Sequence, residues 1–310
     1  MEKNSKIYVA GHRGMVGSAI VRGLLRQGFS NIVTRSHAEL ALDVQAEADS
    51  FFAESGIDYV FLAAAKVGGI AANMAQGGDF IRQNLLIQTN VIDAAYRAGV
   101  KKLLLLGSSC IYPREAAQPM REDALLTGPL ETTNLPYAVA KIAGKVMCDA
   151  YRQQYDFKAF TAMPSNVYGI NDNFHPENAH LVAGMMQRFH KAKKEGAQGV
   201  TVWGTGTPLR ELIYADDLAD GCIFLMNHYD DGGLVNVGSG EEVSVRDLAQ
   251  RIKKTVGFEG RLTFDTDKPD GTPRKIMDNS KINTLGWRAN TGLDEGLAQM
   301  YAAYLSTLTV

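Results

Sequence analysis

Short apolar runs alternate with longer stretches of helical spacing through the first half of the chain. Ile7-Tyr8-Val9-Ala10 ends at a glycine, and Met15 to Gln27 follows with Val16, Ile20 and Leu24 at helical spacing and no proline. Ile32-Val33-Thr34 and Tyr59-Val60-Phe61-Leu62-Ala63-Ala64 are further runs of strand length. Asp79 to Ala98 predicts a long helix closed by Gly99, and Lys102 to Leu106 a strand. Tyr137 to Tyr155 predicts another helix and Phe157 to Met163 another strand. Strands alternating with helices imply right-handed crossovers, so the expected fold is α/β with a doubly wound parallel Rossmann sheet.

The pattern changes after about Gly169. Asn171 to Asn178 is polar and loop-like, and His180 to Lys194 predicts an amphipathic helix. Beyond Val200 the spacing suggests shorter pieces with many turns, such as Gly204-Thr205-Gly206-Thr207-Pro208 and Lys268-Pro269-Asp270-Gly271. Residues 1–169 are therefore expected to form the Rossmann domain. Residues 170–310 would form a smaller C-terminal domain, with some segments free to return to the sheet. No internal repeat is visible.

Composition narrows the class. The 310 residues are 45% hydrophobic and 21% charged, close to an ordinary soluble protein. Lys and Arg total 32 against 34 Asp and Glu, a net charge of -2. A near-neutral chain has no general electrostatic reason to hold nucleic acid or an anionic membrane. No apolar stretch approaches the roughly 18 residues of a membrane span. The N-terminus runs into Ile7 without a signal-peptide core. Cys110, Cys148 and Cys222 lie far apart with no C-x-x-C pair, so a disulfide framework is not expected and a reducing cytoplasm is.

Gly11-His12-Arg13-Gly14-Met15-Val16-Gly17 sits between the first strand and the first helix. Glycines there permit a tight turn and close approach of backbone to a pyrophosphate, while the helix N-terminus offers free N–H groups. Three glycines can be only a turn; at the first βα junction of a βαβ series they point to dinucleotide binding. An NAD enzyme should carry an acid at the end of the second strand, but this chain reads Val33-Thr34-Arg35-Ser36-His37. Arg35 with Arg13 suits a ribose 2′-phosphate, so NADP(H) is the expected cofactor. The bland alternative is that Arg35 is a solvated surface residue.

Tyr137 and Lys141 stand one helical turn apart. A phenol of pKa about 10 becomes a usable acid or base when a nearby ammonium favours the phenolate. Alone, such a pair is usually an ordinary helix neighbour. Here Leu106-Gly107-Ser108-Ser109-Cys110 ends a strand upstream, and Ser108 can complete a hydrogen-bonding set around a substrate oxygen. Cys148 and Cys222 sit in apolar stretches and read as small core residues; Cys110, two residues past Ser108, reads as functional.

Together these segments resemble the extended short-chain dehydrogenase/reductase family over nearly the whole chain. Ala64-Ala65-Lys66-Val67-Gly68-Gly69-Ile70, Gly107-Ser108-Ser109-Cys110-Ile111-Tyr112-Pro113, Asn171-Asp172-Asn173-Phe174-His175-Pro176 and Val202-Trp203-Gly204-Thr205-Gly206 carry the narrower likeness. It is to members that use NADPH to epimerise and then reduce a GDP-4-keto-6-deoxy sugar. The resemblance implies a reductase triad of Ser108, Tyr137 and Lys141, and an epimerising acid–base pair of Cys110 and His180. It implies a cofactor cradle of Gly11 to Gly17, Arg35, Leu106, Gly107, Ser109, Lys141, Pro164, Ser165, Asn166 and Val167. Arg188, Trp203, Arg210 and Asp270 resemble contacts to a GDP-sugar, and a homodimer is the expected assembly. His37 departs from the pattern, since some relatives carry a second arginine there.

The chemistry is consistent with those residue types. A 4-ketone acidifies the C–H bonds at C3 and C5, Tyr137 and Ser108 can stabilise the enolate oxygen, and inversion needs a base on one face and an acid on the other. A thiolate and an imidazolium, with ordinary pKa values of about 8.5 and 6.5, suit both tasks. His175 and His190 compete with His180 as ordinary surface histidines, and Trp203 could be core as easily as a stacking platform. His175, Glu177 and His180 lack the H-E-x-x-H spacing of a zinc helix, so no metal is expected. Two alternatives remain open. One is a 4-reductase or 5-epimerase/4-reductase on another keto-deoxy sugar, such as a colitose precursor or a deoxyheptose; the other is a non-catalytic NADP-binding regulator.

Overall fold

The five apolar runs of the first half line up side by side, and a sixth strand joins them. In the computed structural model, which describes residues 1–176, 178–268 and 270–308, the order along the chain begins β1 (Ile7–Ala10), α1 (Met15–Arg26), β2 (Ile32–Val33), α2 (Gln45–Ser55), β3 (Tyr59–Leu62). It continues with α3 (Ile70–Ala75), α4 (Gly77–Arg97), β4 (Lys102–Leu106), α5 (Leu135–Tyr155), β5 (Ala159–Pro164) and β6 (Asn166–Tyr168). Then come α6 (Leu181–Lys194), β7 (Gly199–Trp203), β8 (Leu209–Tyr214), α7 (Ala215–His228) and β9 (Leu234–Val237). The chain closes with β10 (Glu242–Ser244), α8 (Val245–Val256), β11 (Arg261–Asp265), β12 (Arg274–Lys275), α9 (Ser280–Thr284) and α10 (Leu293–Thr307).

The main sheet is parallel in the order β2-β1-β3-β4-β5-β9. Its strands are covered on both faces, which is why they read as continuous apolar runs. Ile7, Val9, Leu104 and Phe160 point to α1 and α7, while Tyr8, Val60, Leu103 and Leu105 point to α2, α4 and α5. The order reverses between β1 and β3, so the switch point at which such sheets hold ligands lies at their carboxyl ends. β9 comes from the second half of the chain, returning to pair with β5. α7 returns with it and packs on α1, where a Cβ at Gly23 would stand 2.8 Å from Ile223 Cδ1. Asp216 at the start of α7 ties the pair together through Arg22 and Arg26 at 2.6 and 2.9 Å.

Between and beyond these returning segments, β8 pairs with β6 and β12 in parallel and with β10 antiparallel, while β7 and β11 form a separate parallel pair. α6, α8 and α10 cover them through Phe189, Leu248, Ile252, Leu297 and Met300. This part holds three helices of a dozen residues or more where the sequence spacing suggested short pieces. In α7, Leu218, Ala219, Cys222, Ile223, Leu225 and Met226 are all buried, while Asp216, Asp220 and Asn227 form a narrow polar stripe on the other side. At the centre of β8, Glu211 is completely buried. Its carboxylate accepts hydrogen bonds of 2.8 Å from the Gly240 amide, the Met277 amide and Asn279 Nδ2. It thereby binds β8 to the chain on either side, and burial raises its pKa.

Candidate active site

The glycine loop is drawn tight at both ends and open in the middle. Gly11 adopts φ +83°, and a Cβ there would stand 2.7 Å from the Ala64 amide nitrogen beyond β3. A Cβ at Gly17, buried in α1, would stand 2.1 Å from Gly11 O. At Gly14, which caps α1, a Cβ would come no closer than 3.5 Å to the protein. Backbone can thus approach a pyrophosphate at the helix N-terminus, the fit a dinucleotide requires. Two buried polar atoms of the expected cradle lack partners, His12 Nδ1 and Ser165 Oγ. Ser165 stands between Pro164, which ends β5, and Asn166 and Val167, which open β6. Met15 and Val16 pack inward on the core.

Arg13 and Arg35 are exposed. Arg35 donates to Thr34 O at 2.8 Å and lies 6.0 Å from the centre of the Phe51 ring. A carboxylate is nearby after all, at Glu39, where Ser36 and then both arginines hold its pKa down. Its oxygen already takes the Ser36 amide and hydroxyl at 2.7 and 2.6 Å, so neither guanidinium is tied to it by an ion pair.

The second cluster forms where β4 ends. A Cβ at Gly107 would stand 2.4 Å from Met163 Cε, so the chain here packs hard against β5 before turning out through Ser108, Ser109 and Cys110. Lys141, buried on α5, donates to Leu106 O at 2.9 Å and lies 5.9 Å from the Tyr137 ring centre. Phe80 of α4 meets the Tyr137 ring edge-on at 6.2 Å. Ser108 faces both the Tyr137 phenol and the Cys110 thiol. Burial pushes Tyr137 well above its ordinary pKa, with Cys110 adding to the rise. Burial lowers Lys141 to about 8, with Cys110 acting in the opposite sense. Cys110 is raised by burial, against the pull of Lys275, Ser108 and Lys141.

His180 caps α6. Its residue is partly open to solvent, yet desolvation lowers the pKa of its imidazole. A Cβ at Gly69 would lie 3.6 Å from Asn178 O, so the Ala64 to Ile70 loop rests against the segment that leads to His180. Arg188 is exposed, with Nε on Gly184 O at 3.3 Å. Trp203 ends β7 with 68% of its surface exposed and Lys268 Nζ 5.7 Å from its ring centre. Asp270 accepts from the Thr205 amide and hydroxyl at 2.9 and 2.7 Å. Arg210 donates to Leu209 O and Thr272 O at 2.8 and 2.7 Å. Cys110, Lys275, Arg210 and Asp270 act on one another electrostatically in succession. His180 and Arg188, by contrast, make no hydrogen bond or ion pair with that group among the described residues.

Sequence reasoning passed over Lys275, Thr205 and Glu211. Pro273-Arg274-Lys275 looks like a solvated basic turn, and only the pairing of β12 with β8 brings it beside Arg210. Asp172 was quoted only as part of a motif, yet burial raises it to about 7 and its Oδ2 has no partner. Glu177, weighed above as a metal ligand with His175 and His180, lies outside the described residues. Among those residues no group of three potential ligands is placed to hold a metal, and no helix is long and apolar enough to cross a membrane.

Residues 7–238, which include the glycine loop, the β4 end, Tyr137, Lys141, His180 and Arg210, match the NAD dependent epimerase/dehydratase family. The chain belongs to that family. A relative within reach is GDP-L-fucose synthase 1 of Arabidopsis thaliana, 58% identical across 99% of this chain and 95% of its own length. GDP-L-fucose synthase of Escherichia coli K12 is 48% identical across 97% of this chain and 96% of its own. Among solved structures, a GDP-mannoheptose C4 reductase from Campylobacter jejuni with NADP bound aligns at TM-score 0.91 and 39% identity, covering 98% of this chain and 99% of that one. The family and fold expected from the motifs are those found.

Proposed function

We propose that this chain is a GDP-L-fucose synthase that uses NADPH to convert GDP-4-keto-6-deoxy-D-mannose to GDP-L-fucose. The observation that carries the reading is the gathering of Ser108, Cys110, Tyr137 and Lys141 at the carboxyl end of β4. A C4 reductase alone needs no further base there; an epimerase that passes through an enolate does, and the Cys110 thiol can supply it. The high identity to fucose synthases, against 39% to the heptose C4 reductase, favours this substrate over a deoxyheptose.

Gly11 to Gly17, Leu106, Gly107, Ser109, Lys141 and Pro164 to Val167 would hold the cofactor, with Arg13 and Arg35 on its 2′-phosphate. When bound, NADPH supplies the hydride for C4. Arg188, Trp203, Arg210 and Asp270 hold the nucleotide sugar. Cys110 and His180 remove and return protons at C3 and C5 on opposite faces, while Ser108 and Tyr137 donate to the C4 oxygen as charge develops on it. In the reduction Tyr137 gives its proton to that oxygen, and the Lys141 ammonium stabilises the phenolate left behind. Its place in the chain is a Rossmann unit of residues 1–169 and a substrate unit of residues 170–310 that returns α7 and β9 to the first. The exposed stripe of Leu135, Val139 and Val146 on α5 supports a homodimer, which a monomer mass by light scattering would remove. The three cysteines, all free, fit a cytoplasmic setting.

The test follows two steps separately, NADPH oxidation with the 4-keto sugar and deuterium wash-in at C3 and C5 in D₂O without cofactor. Tyr137→Phe should slow reduction by about 10²–10⁴-fold and still permit some wash-in, with Ser108 left to donate to the enolate oxygen. Cys110→Ser and His180→Ala should nearly stop wash-in. Wild-type wash-in by Cys110→Ser would make Cys110 a packed thiol and leave a plain 4-keto reductase.

A further inference from the structure

We propose that the cavity between β10, α8 and the start of α10 is a second binding site, one that takes a neutral polyhydroxy ligand of monosaccharide size. None of the residues that line it belongs to the groups proposed above for the cofactor or the nucleotide sugar.

The cavity measures about 380 Å³, inside the range of small-ligand sites, which begins near 300 Å³. Tyr168, at the end of β6, lines it with only 1% of its surface exposed. Its hydroxyl has no hydrogen-bond partner among the described residues. That oxygen lies against the first turn of α10, where a Cβ at Gly296 would stand 2.2 Å from it. Gly296 thus leaves room for the phenol tip at the edge of the cavity. A hydroxyl so enclosed has given up its bonds to bulk water, and a ligand in the cavity can restore one.

The wall around that hydroxyl is fixed in place. Asp217 of α7 accepts from the Asn290 amide, the Thr291 amide and the Thr291 hydroxyl at 3.2, 2.8 and 2.8 Å. Tyr214 donates to Gln299 Oε1 at 2.9 Å, and Gln299 Nε2 in turn to Glu295 Oε1 at 3.1 Å. Arg251 of α8 pairs with Asp294 at 2.8 Å. A site held this way loses little order when it is filled.

The lining groups decide the class of ligand. Val243 stands opposite Arg210, so Leu212, two residues further along β8, shares its side and the two form an apolar patch. Glu241 and Glu295 offer acceptors. Arg251 and Tyr168 offer donors, as do the first amides of α10, which has no side-chain cap. An anion would meet the carboxylates of Glu241, Glu242, Asp294 and Glu295 against the single guanidinium of Arg251. A cation would meet that guanidinium and the positive end of α10. A flat base has no ring to stack on, because the Tyr168 ring is buried against Tyr214. A pyranose has an apolar C–H face and a rim of hydroxyls that both donate and accept, and it matches all three parts.

The test is titration of the isotope-labelled full chain with D-mannose, L-fucose, putrescine and citrate, followed through backbone amide resonances. Either sugar should shift residues 241–243 and 290–295 in a saturable way, with a Kd on the order of 1 mM. Tyr168→Phe keeps the ring and should weaken that binding about fivefold to tenfold while Tm stays near wild type. Glu241→Ala, a change on the exposed rim, should weaken it as well and cannot disturb the core. Absence of shifts there with both sugars overturns the proposal, as does equal affinity in both variants. A response to putrescine or citrate alone overturns it too, by making the cavity an ion site. Sugar shifts confined to Trp203 and Asp270 would place the ligand in the nucleotide-sugar site and likewise overturn it.

Discussion

Lys141 shows what a single side chain costs the fold. Buried, with Leu106 O its one acceptor among the described residues, its ammonium is lowered to about 8, chiefly by loss of water. A lysine whose folded pKa lies below its unfolded value binds fewer protons folded than unfolded. Stability is therefore reduced below that folded value and recovers as pH rises from about 8 to the ordinary lysine value near 10.4. Without cofactor, Lys141→Met should gain about 1–3 kcal/mol at pH 7, seen as a higher Tm, and the gain should shrink toward pH 10. A lower Tm at pH 7 would show that the ammonium is stabilised by something other than Leu106 O. The same variant should lose reduction. Such residues were legible because Ser108, Cys110, Tyr137 and Lys141 fall in tight local spacing. Lys275 was not, because its partner lies on a strand far away in sequence and its neighbours look like a solvated turn.

At the scale of elements, the tightest constraint is the β1–α1 turn. An alanine methyl at Gly17 would meet Gly11 O at 2.1 Å, a backbone atom that has no side-chain freedom to yield. Gly17→Ala should therefore lower stability by about 1–3 kcal/mol and weaken NADPH binding by at least tenfold, measured by melting and by fluorescence titration. Unchanged affinity would mean the helix start can shift without disturbing the phosphate site. Elements with one apolar face, such as α1 and α6, could be read from spacing. α2 could not, since only Ala48 and Phe52 of it are buried. Periodicity reports a boundary between core and water, and it is silent where one side is missing.

For the whole molecule, the decisive feature is that the chain goes back. β9 pairs with β5, and α7 covers Ile20 and Leu24 of α1. A fragment ending at residue 169 would bare both that apolar face and the edge of β5. It should be insoluble or lack a cooperative melt, whereas the full chain should unfold as a unit. A soluble, cooperatively melting fragment would show the first unit to be self-sufficient. Right-handed βαβ order made the sheet legible up to β5; the return was left open because β9 is only four residues and its partner β5 lies far back in the chain.

The bonds around Glu211 also divide the C-terminal half into what an engineer can and cannot redraw. Glu211 fastens Gly240, Met277 and Asn279 to the middle of β8 from a site without water, so any replacement strands several buried donors at once. Trp203, Thr205 and Asp270 sit outside that knot, with Asp270 and Trp203 on exposed surface and joined to the rest by a few loop contacts. A library aimed at accepting a different nucleobase should thus vary 203, 205, 207 and 270, keep Gly204 and Gly206, whose φ of +83° and +78° and close neighbours exclude a side chain, and leave 211 alone; the surface proposed for recognition is the more replaceable part.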